Sequence, residues 1–226
     1  ELLLIFSYSK RLNNLAGAPK TNTPRTVFCI AYHYPPIRST GVERTVKFAR
    51  YLPEFGYDVK ILTTSAFGAS GQPNVLHAWE PLQWYRYLFN RGAASSAVRT
   101  GAGQRGGVRR WLRTRLCVPD LQTTWLPAAL WRALRELRHC PAALIYSTYP
   151  PASAHLLGLL LKALSGRPWV ADFRDSWVYD PLDPTLNQLP YRRALERSLE
   201  ERVVNGADAV IVATDVSAEH LRRTYP

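Results

Sequence analysis

Methionine is absent from the chain, even at position 1, so the sequence reads as a piece of a longer protein. Cysteine is sparse: Cys29, Cys117 and Cys140 are odd in number and show no paired spacing. That excludes a disulfide framework and any zinc pattern built on paired thiols. Cys29 lies in an apolar run and reads as a small core residue. No apolar run approaches the roughly 18 residues of a membrane span. The N-terminal patch ELLLIFSYSKR lacks the basic start and the small-residue cleavage site of a signal peptide. Lysine occurs only at positions 10, 20, 47, 60 and 162, and acidic residues are few, 17 against 29 basic ones.

What is present is arginine, and it carries most of a net charge of +12. A surplus of this size points to an anionic partner: nucleic acid, anionic lipid or a phosphorylated ligand. No RNA- or DNA-binding motif occurs, so no nucleic acid is expected. With 226 residues, 46% hydrophobic and 20% charged, the composition is globular and fits one large α/β domain.

Residues 1–25 read as a flexible leader, because Asn, Gly, Pro and Thr crowd Asn13 to Pro24. The domain then runs over 26–226. TVFCIAY, residues 26–32, is an apolar β-branched run typical of a buried parallel strand. Val42, Val46, Ala49 and Leu52 share one helical face, which Pro53 and Gly56 terminate. DVKILTT, residues 58–64, is a second strand and completes a βαβ unit with a right-handed crossover.

Residues 65–118 form an insertion. Trp79, Trp84, Tyr85, Tyr87, Phe89 and Trp111 alternate there with Arg91, Arg99, Arg105, Arg109, Arg110, Arg113 and Arg115. Its aromatic part is expected to hold a third strand and a short helix, and 91–107 a flexible loop. Two functional readings attach to 79–115, docking on an anionic membrane and nucleic-acid binding, beside that of a solvated loop.

Regular alternation resumes with Leu126, Ala129, Leu130, Ala133, Leu134 and Leu137 on one helical stripe. AALIYST (142–148) and PWVADF (168–173) are strands, and 152–164 is a buried helix. Leu195, Leu199 and Val203 mark a helix starting near Pro190, with Glu196, Glu200 and Glu201 on its surface. ADAVIVAT (207–214) is another strand, and Thr214 or Asp215 caps a last helix reaching Arg223. Strands alternating with helices give a doubly wound, mostly parallel α/β sheet.

In such a sheet, ligands bind at the carboxyl ends of the strands. VADFRDSW places Asp172, Arg174 and Asp175 at one such end, with Phe173 and Trp177 between and after them. An Asp/Arg pair that caps the next helix is the alternative reading. YPPIRSTGVER joins the first strand to its helix. At Gly41 a ligand can approach the backbone closely, and the helix start can receive a phosphate or a sugar hydroxyl, with Arg38 and Arg44 adding charge. No dinucleotide or Walker pattern is present. STYPPASAH sets Ser153 and His155 in the first turn of the next helix, where His155 either meets a ligand or packs on its neighbours.

The succession YHYPPIRSTGVERTVKFARYLPEFGYDVKILTT, PDLQTTWLPAAL, YSTYPPASAHLLGLLLK, PWVADFRDSW and ADAVIVATDVSAEHLRRTYP resembles the N-terminal half of a family 4 glycosyltransferase. The resemblance covers nearly all of 26–226. It implies one Rossmann-like half of a retaining enzyme of the GT-B fold, similar to those of cell-envelope polysaccharide synthesis. The N-terminal half of such enzymes mainly binds the acceptor. A C-terminal half, absent from this chain, binds the nucleotide-sugar donor and carries a glutamate pair. No metal and no cofactor beyond the nucleotide-sugar substrate is implied.

The resemblance also implies roles for particular residues. Ser39, Thr40 and Gly41 match the glycine loop that lies near the donor phosphates. Many members carry a His where this chain has Arg174, so contact with phosphate or substrate passes to Arg174, oriented by Asp172 or Asp175. Arg44, Ser153 and His155 complete the expected site. The partners implied are a nucleotide-sugar donor, a glycan or lipid-linked acceptor and an anionic membrane surface, with the enzyme cytoplasmic or peripheral on the inner face of the cell membrane. A non-catalytic glycan- or membrane-binding module and half of a nucleotide-sugar epimerase are the alternatives.

Overall fold

The apolar run that follows Arg25 becomes a central strand of a single sheet. The computed structural model describes residues 25–38, 40–68, 71–81, 118–140, 142–178 and 189–226. The leader (apart from Arg25), Ser39 and residues 82–117 of the insertion lie outside the described residues. The strands are β1 (Arg25–Ile30), β2 (Tyr57–Thr64), β3 (Val75–Ala78), β4 (Ala142–Tyr149), β5 (Trp169–Phe173) and β6 (Ala209–Val212). They pair in the order β3-β2-β1-β4-β5-β6, every pair parallel. The helices are α1 (Thr40–Tyr51), α2 (Leu126–His139), α3 (Ala152–Ser165), α4 (Pro190–Gly206) and α5 (Asp215–Thr224). Two 3-10 turns, Leu52–Phe55 and Leu121–Trp125, precede β2 and α2. The expected doubly wound α/β sheet is therefore the fold.

Period-two alternation sorts the strand side chains into two cores. Val27 and Cys29 of β1 join Val59, Ile61, Tyr146 and Val170 on one face, covered by Val46, Phe48 and Ala49 of α1. Phe28 and Ile30 join Trp125, Ile145, Trp169 and Phe173 on the other, under Ala133, Leu157, Leu161, Val203 and Ala218 from α2 to α5. Each fully buried Leu or Ile contributes about 1.5–3 kcal/mol. Gly56 closes the first 3-10 turn at φ 80°, and the Thr214 hydroxyl caps α5 by accepting from the Ser217 amide.

Two expectations need correction. The third strand lies at Val75–Ala78, ahead of the aromatic run rather than inside it. Its four residues are too few for a clear alternation. On α4, Glu196 and Glu200 are not on the surface: they are 3% and 2% exposed, whereas Leu195 is 46% exposed. The buried stripe is Arg192, Glu196, Glu200, Val203 and Val204. Burying these carboxylates is feasible because donors meet them. Glu196 accepts from Arg192 Nε at 2.6 Å and Trp177 Nε1 at 3.1 Å. Glu200 accepts from the Val178 amide at 3.2 Å and the Tyr225 hydroxyl at 2.7 Å. Desolvation still pushes the Glu200 carboxyl above its ordinary value. This network fastens the segment after β5, and so helps to fix where Arg174 begins its course.

Candidate active site

All six strands deliver their carboxyl ends to one edge, and the loops leaving β1, β4 and β5 meet there. Asp172 lies in register with Thr148. Its side chain is fully buried on the α1 face and forms an ion pair with Arg44 Nη1 at 2.5 Å. The Tyr146 hydroxyl donates to the other carboxylate oxygen, and Thr148 Oγ1 lies 3.4 Å from it. The cost of burying this charge is offset by one guanidinium and two hydroxyls. Tyr146 pays no separate penalty of exposure: burial, the Asp172 charge and its hydrogen bond to Asp172 raise its phenol well above the ordinary value, so it stays a donor. Arg44, 16% exposed, is thereby locked on the second turn side of α1.

Arg174 takes a different course. Its Nε donates to the Tyr149 carbonyl at 2.8 Å and its Nη2 to the Pro150 carbonyl at 3.3 Å. Asp172 or Asp175 was expected to orient it; its hydrogen bonds go instead to the carbonyls of Tyr149, the last residue of β4, and Pro150, while Asp172 pairs with Arg44 and both aspartates act on Arg174 through their charge. The guanidinium comes to rest against Gly41. A Cβ at position 41 would stand 1.7 Å from Arg174 Nη1 and 2.7 Å from Nη2. Only glycine leaves room for this contact. Burial lowers the Arg174 pKa, opposed by the nearby Asp175 and Asp172 charges, and the group remains a cation. Arg174 and Gly41 are thus brought together from β5 and α1, and hydrogen-bond donors beyond the two described remain on Arg174.

The other expected residues separate into groups. Thr40 opens α1. Asp175 is exposed beside Arg174. Ser153 is fully buried, and its amide donates to Asp120 Oδ2 at 2.9 Å. His155 does not join Gly41. It is fully buried on the opposite face of the sheet, with ring centroids 4.5 Å from Phe173 and 6.3 Å from Trp169. Ser147 Oγ lies 2.7 Å from its Nδ1, and burial holds its pKa at about 3 against an ordinary 6.5. It is a neutral imidazole in the core.

Three participants escaped the sequence reading: Tyr146, Thr148 and Asp120. The alternation in YSTY was the available signal for the first two, since it puts both hydroxyls on the face of Asp172. Asp120 fixes the start of α3 from a distant loop, which no local pattern reveals. Among the described residues no group of three His, Cys, Asp or Glu could hold a metal ion, and no helix is long and apolar enough to cross a membrane.

Residues 40–226 match the family model of the glycosyl transferase 4-like domain. No match was found among the curated proteins. Among solved structures, a sucrose-phosphate synthase from Thermosynechococcus elongatus superposes with a TM-score of 0.59 at 14% identity, over 89% of this chain and 45% of that one. A shorter piece of the same synthase superposes with a TM-score of 0.52 at 12% identity, over 89% of this chain and 83% of that one. At these identities the likeness is one of fold. The chain spans about half the length of the longer of these two synthase chains.

Proposed function

The chain belongs to the glycosyl transferase 4-like domain family, and from that premise we propose that it is the acceptor-side domain of a retaining glycosyltransferase. The reaction moves a hexosyl group from a nucleotide-sugar donor to a glycan or lipid-linked acceptor. The bond between the anomeric carbon and the donor phosphate oxygen breaks, the acceptor hydroxyl oxygen bonds to that carbon, and the hydroxyl proton goes to the departing nucleoside diphosphate.

The observation that carries this reading is the Arg174 guanidinium lying over Gly41 at the first turn of α1. A cation fixed at a helix N-terminus, with donors still free to bind, suits the developing charge of a leaving diphosphate. Arg44 lies at the same strand ends, but its charge is balanced by Asp172, so the guanidinium of Arg174 is the one offered to substrate. In this reading Asp172 is a positioning residue, since its carboxylate is covered, while Arg174 touches the substrate. The donor nucleotide is held by a second Rossmann-like half outside this chain. The basic segment 79–115 holds the enzyme on the inner, anionic face of a membrane where polysaccharide precursors are assembled.

The test is an assay of the longer protein with nucleotide-sugar donors, products read by mass spectrometry. Arg174→Ala should cut turnover by roughly tenfold or more, about 1.4 kcal/mol. Arg174→Lys should not restore it fully, because an ammonium lacks the planar fork. Residues 1–226 alone should not transfer sugar. Normal turnover in Arg174→Ala would remove the observation on which the reading stands.

A further inference from the structure

The outer surface of the helical layer carries a pattern that internal packing does not use. α3 lies between α2 and α4 and packs against both. Its inner side gives Leu157 and Leu161 to the core. Its outer side is apolar as well: Leu160 is 41% exposed, Leu164 is 61% exposed, and Ala163 beside them is exposed. Lys162 is the one Lys or Arg of α3, and an ion pair with Asp208 at 2.7 Å takes it up. A single exposed leucine is ordinary. These leucines have exposed apolar neighbours on both sides.

Helical periodicity shows which way they turn. Leu159 meets α4, because a Cβ at Gly206 would stand 2.6 Å from Leu159 Cδ1. Leu160 and Leu164 lie about 100–140° around the helix from Leu159, and so turn toward α2. On α2, Trp131 is 61% exposed, even with the Arg135 guanidinium 5.5 Å over its ring. On α4, Leu195 stands about three full turns before Gly206, on the flank that meets α3, and is also exposed. Arginines border this stripe. Arg135 and Arg138 are exposed on α2, and Arg193, Arg197 and Arg202 on α4. Among the described residues of the three helices, Glu201 is the one exposed acid.

An apolar stripe edged by guanidinium groups is complementary to anionic lipid. Leucines enter the acyl boundary, Trp settles at headgroup level, and Arg lays its stem on apolar surface while its fork takes phosphate. A second copy of the chain is a poorer occupant, since a twofold axis here would set arginine against arginine.

We propose that the outer face of α2, α3 and α4 docks on an anionic phospholipid membrane, with Leu160 and Leu164 inserted and the bordering arginines on lipid phosphates. This surface is separate from the basic segment 79–115. The helices begin at the carboxyl edge of the sheet, so a bilayer against them lies beside the Arg174 edge rather than over it. A lipid-linked acceptor then reaches that edge from the bilayer; this consequence rests on the glycosyl-transfer reading, and the docking itself does not. The test is co-sedimentation of the whole chain with vesicles of phosphatidylglycerol and phosphatidylcholine in equal parts, and with phosphatidylcholine alone. The native chain should bind the mixed vesicles more tightly. Leu160→Gln with Leu164→Gln should weaken that binding by roughly tenfold or more, with the fold retained by circular dichroism, whereas Leu160→Met with Leu164→Met should preserve it. Arg135→Gln with Arg138→Gln should weaken it at low salt and less at high salt. No binding of the native chain to the mixed vesicles, or equal binding by the double glutamine variant, overturns the surface. A native dimer in sedimentation velocity that the double glutamine variant loses, without vesicle binding, gives the stripe to a second copy and also overturns it. Docking kept by a longer protein that transfers no sugar would retain the surface and remove glycosyl transfer instead.

Discussion

Asp172 and Arg174 stand two residues apart yet answer to different constraints. Asp172 is fully buried, with Arg44, Tyr146 and Thr148 around it. Removing it strands a guanidinium that has little access to water, so Asp172→Ala should cost about 3 kcal/mol or more of stability. Arg174 is hydrogen-bonded to two backbone carbonyls, those of Tyr149 and Pro150, and Arg174→Ala should cost about 1 kcal/mol. Urea denaturation of both variants checks the contrast; equal losses would contradict it. His155 sets a separate test. Its folded-state pKa of about 3 lies below the ordinary 6.5, so the unfolded chain takes up a proton that the folded chain refuses. The stability tied to His155 is complete above pH 6.5 and falls as pH drops toward about 3, by roughly 1.4 kcal/mol per pH unit. Between pH 6.5 and 4.5 the native chain should lose about 2 kcal/mol more than His155→Gln, measured by urea denaturation at both values. Parallel losses in the two proteins would mean that the buried imidazole does not set the acid slope.

At the scale of elements, the parts that could be read in advance were those with one dominant period. TVFCIAY, DVKILTT, AALIYST and ADAVIVAT are apolar runs with no rival interpretation, and each matches its strand to within about two residues at either end. α4 shows why such reading stops short. Leu195, Leu199 and Val203 suggest an apolar stripe, but the helix turns Glu196 and Glu200 inward, because Trp177, Val178 and Tyr225 supply donors from distant parts of the chain. Periodicity contains no information about such partners. The same limit applies to the candidate site: the residues of the Asp172 to Trp177 segment were conspicuous, whereas the pairing of Asp172 with Arg44 depends on how α1 packs over β4 and β5. The element assigned to a membrane, 79–115, is described only to Pro81, with Trp79 63% exposed. Each basic residue near an anionic surface contributes up to about 1 kcal/mol, screened by salt. The chain should therefore co-sediment with phosphatidylglycerol vesicles at low salt and be released at high salt. Equal binding to neutral and anionic vesicles would contradict an electrostatic dock.

Across the whole molecule, parallel pairing is what makes a site possible. Six strands running one way bring loops that are far apart in sequence to one edge, and two packed faces hold that edge still. The sequence pattern implied this edge and its charged residues. It did not separate the two faces, which is why His155 was expected beside Gly41 although it lies across the sheet. The central claim is that Gly41 exists to seat Arg174, and that the seated guanidinium serves sugar transfer. A double-mutant cycle in the longer protein tests it most directly, with turnover measured for the native enzyme, Gly41→Ala, Arg174→Ala and the double variant. A Cβ at 41 collides with the end of the Arg174 side chain rather than with backbone, so Gly41→Ala should fold normally and act by displacing the guanidinium. The expected result is a loss of roughly tenfold or more in each single variant, with the double variant no slower than the worse of the two. Two losses that multiply in the double variant, or a Gly41→Ala enzyme with native turnover, would contradict the claim.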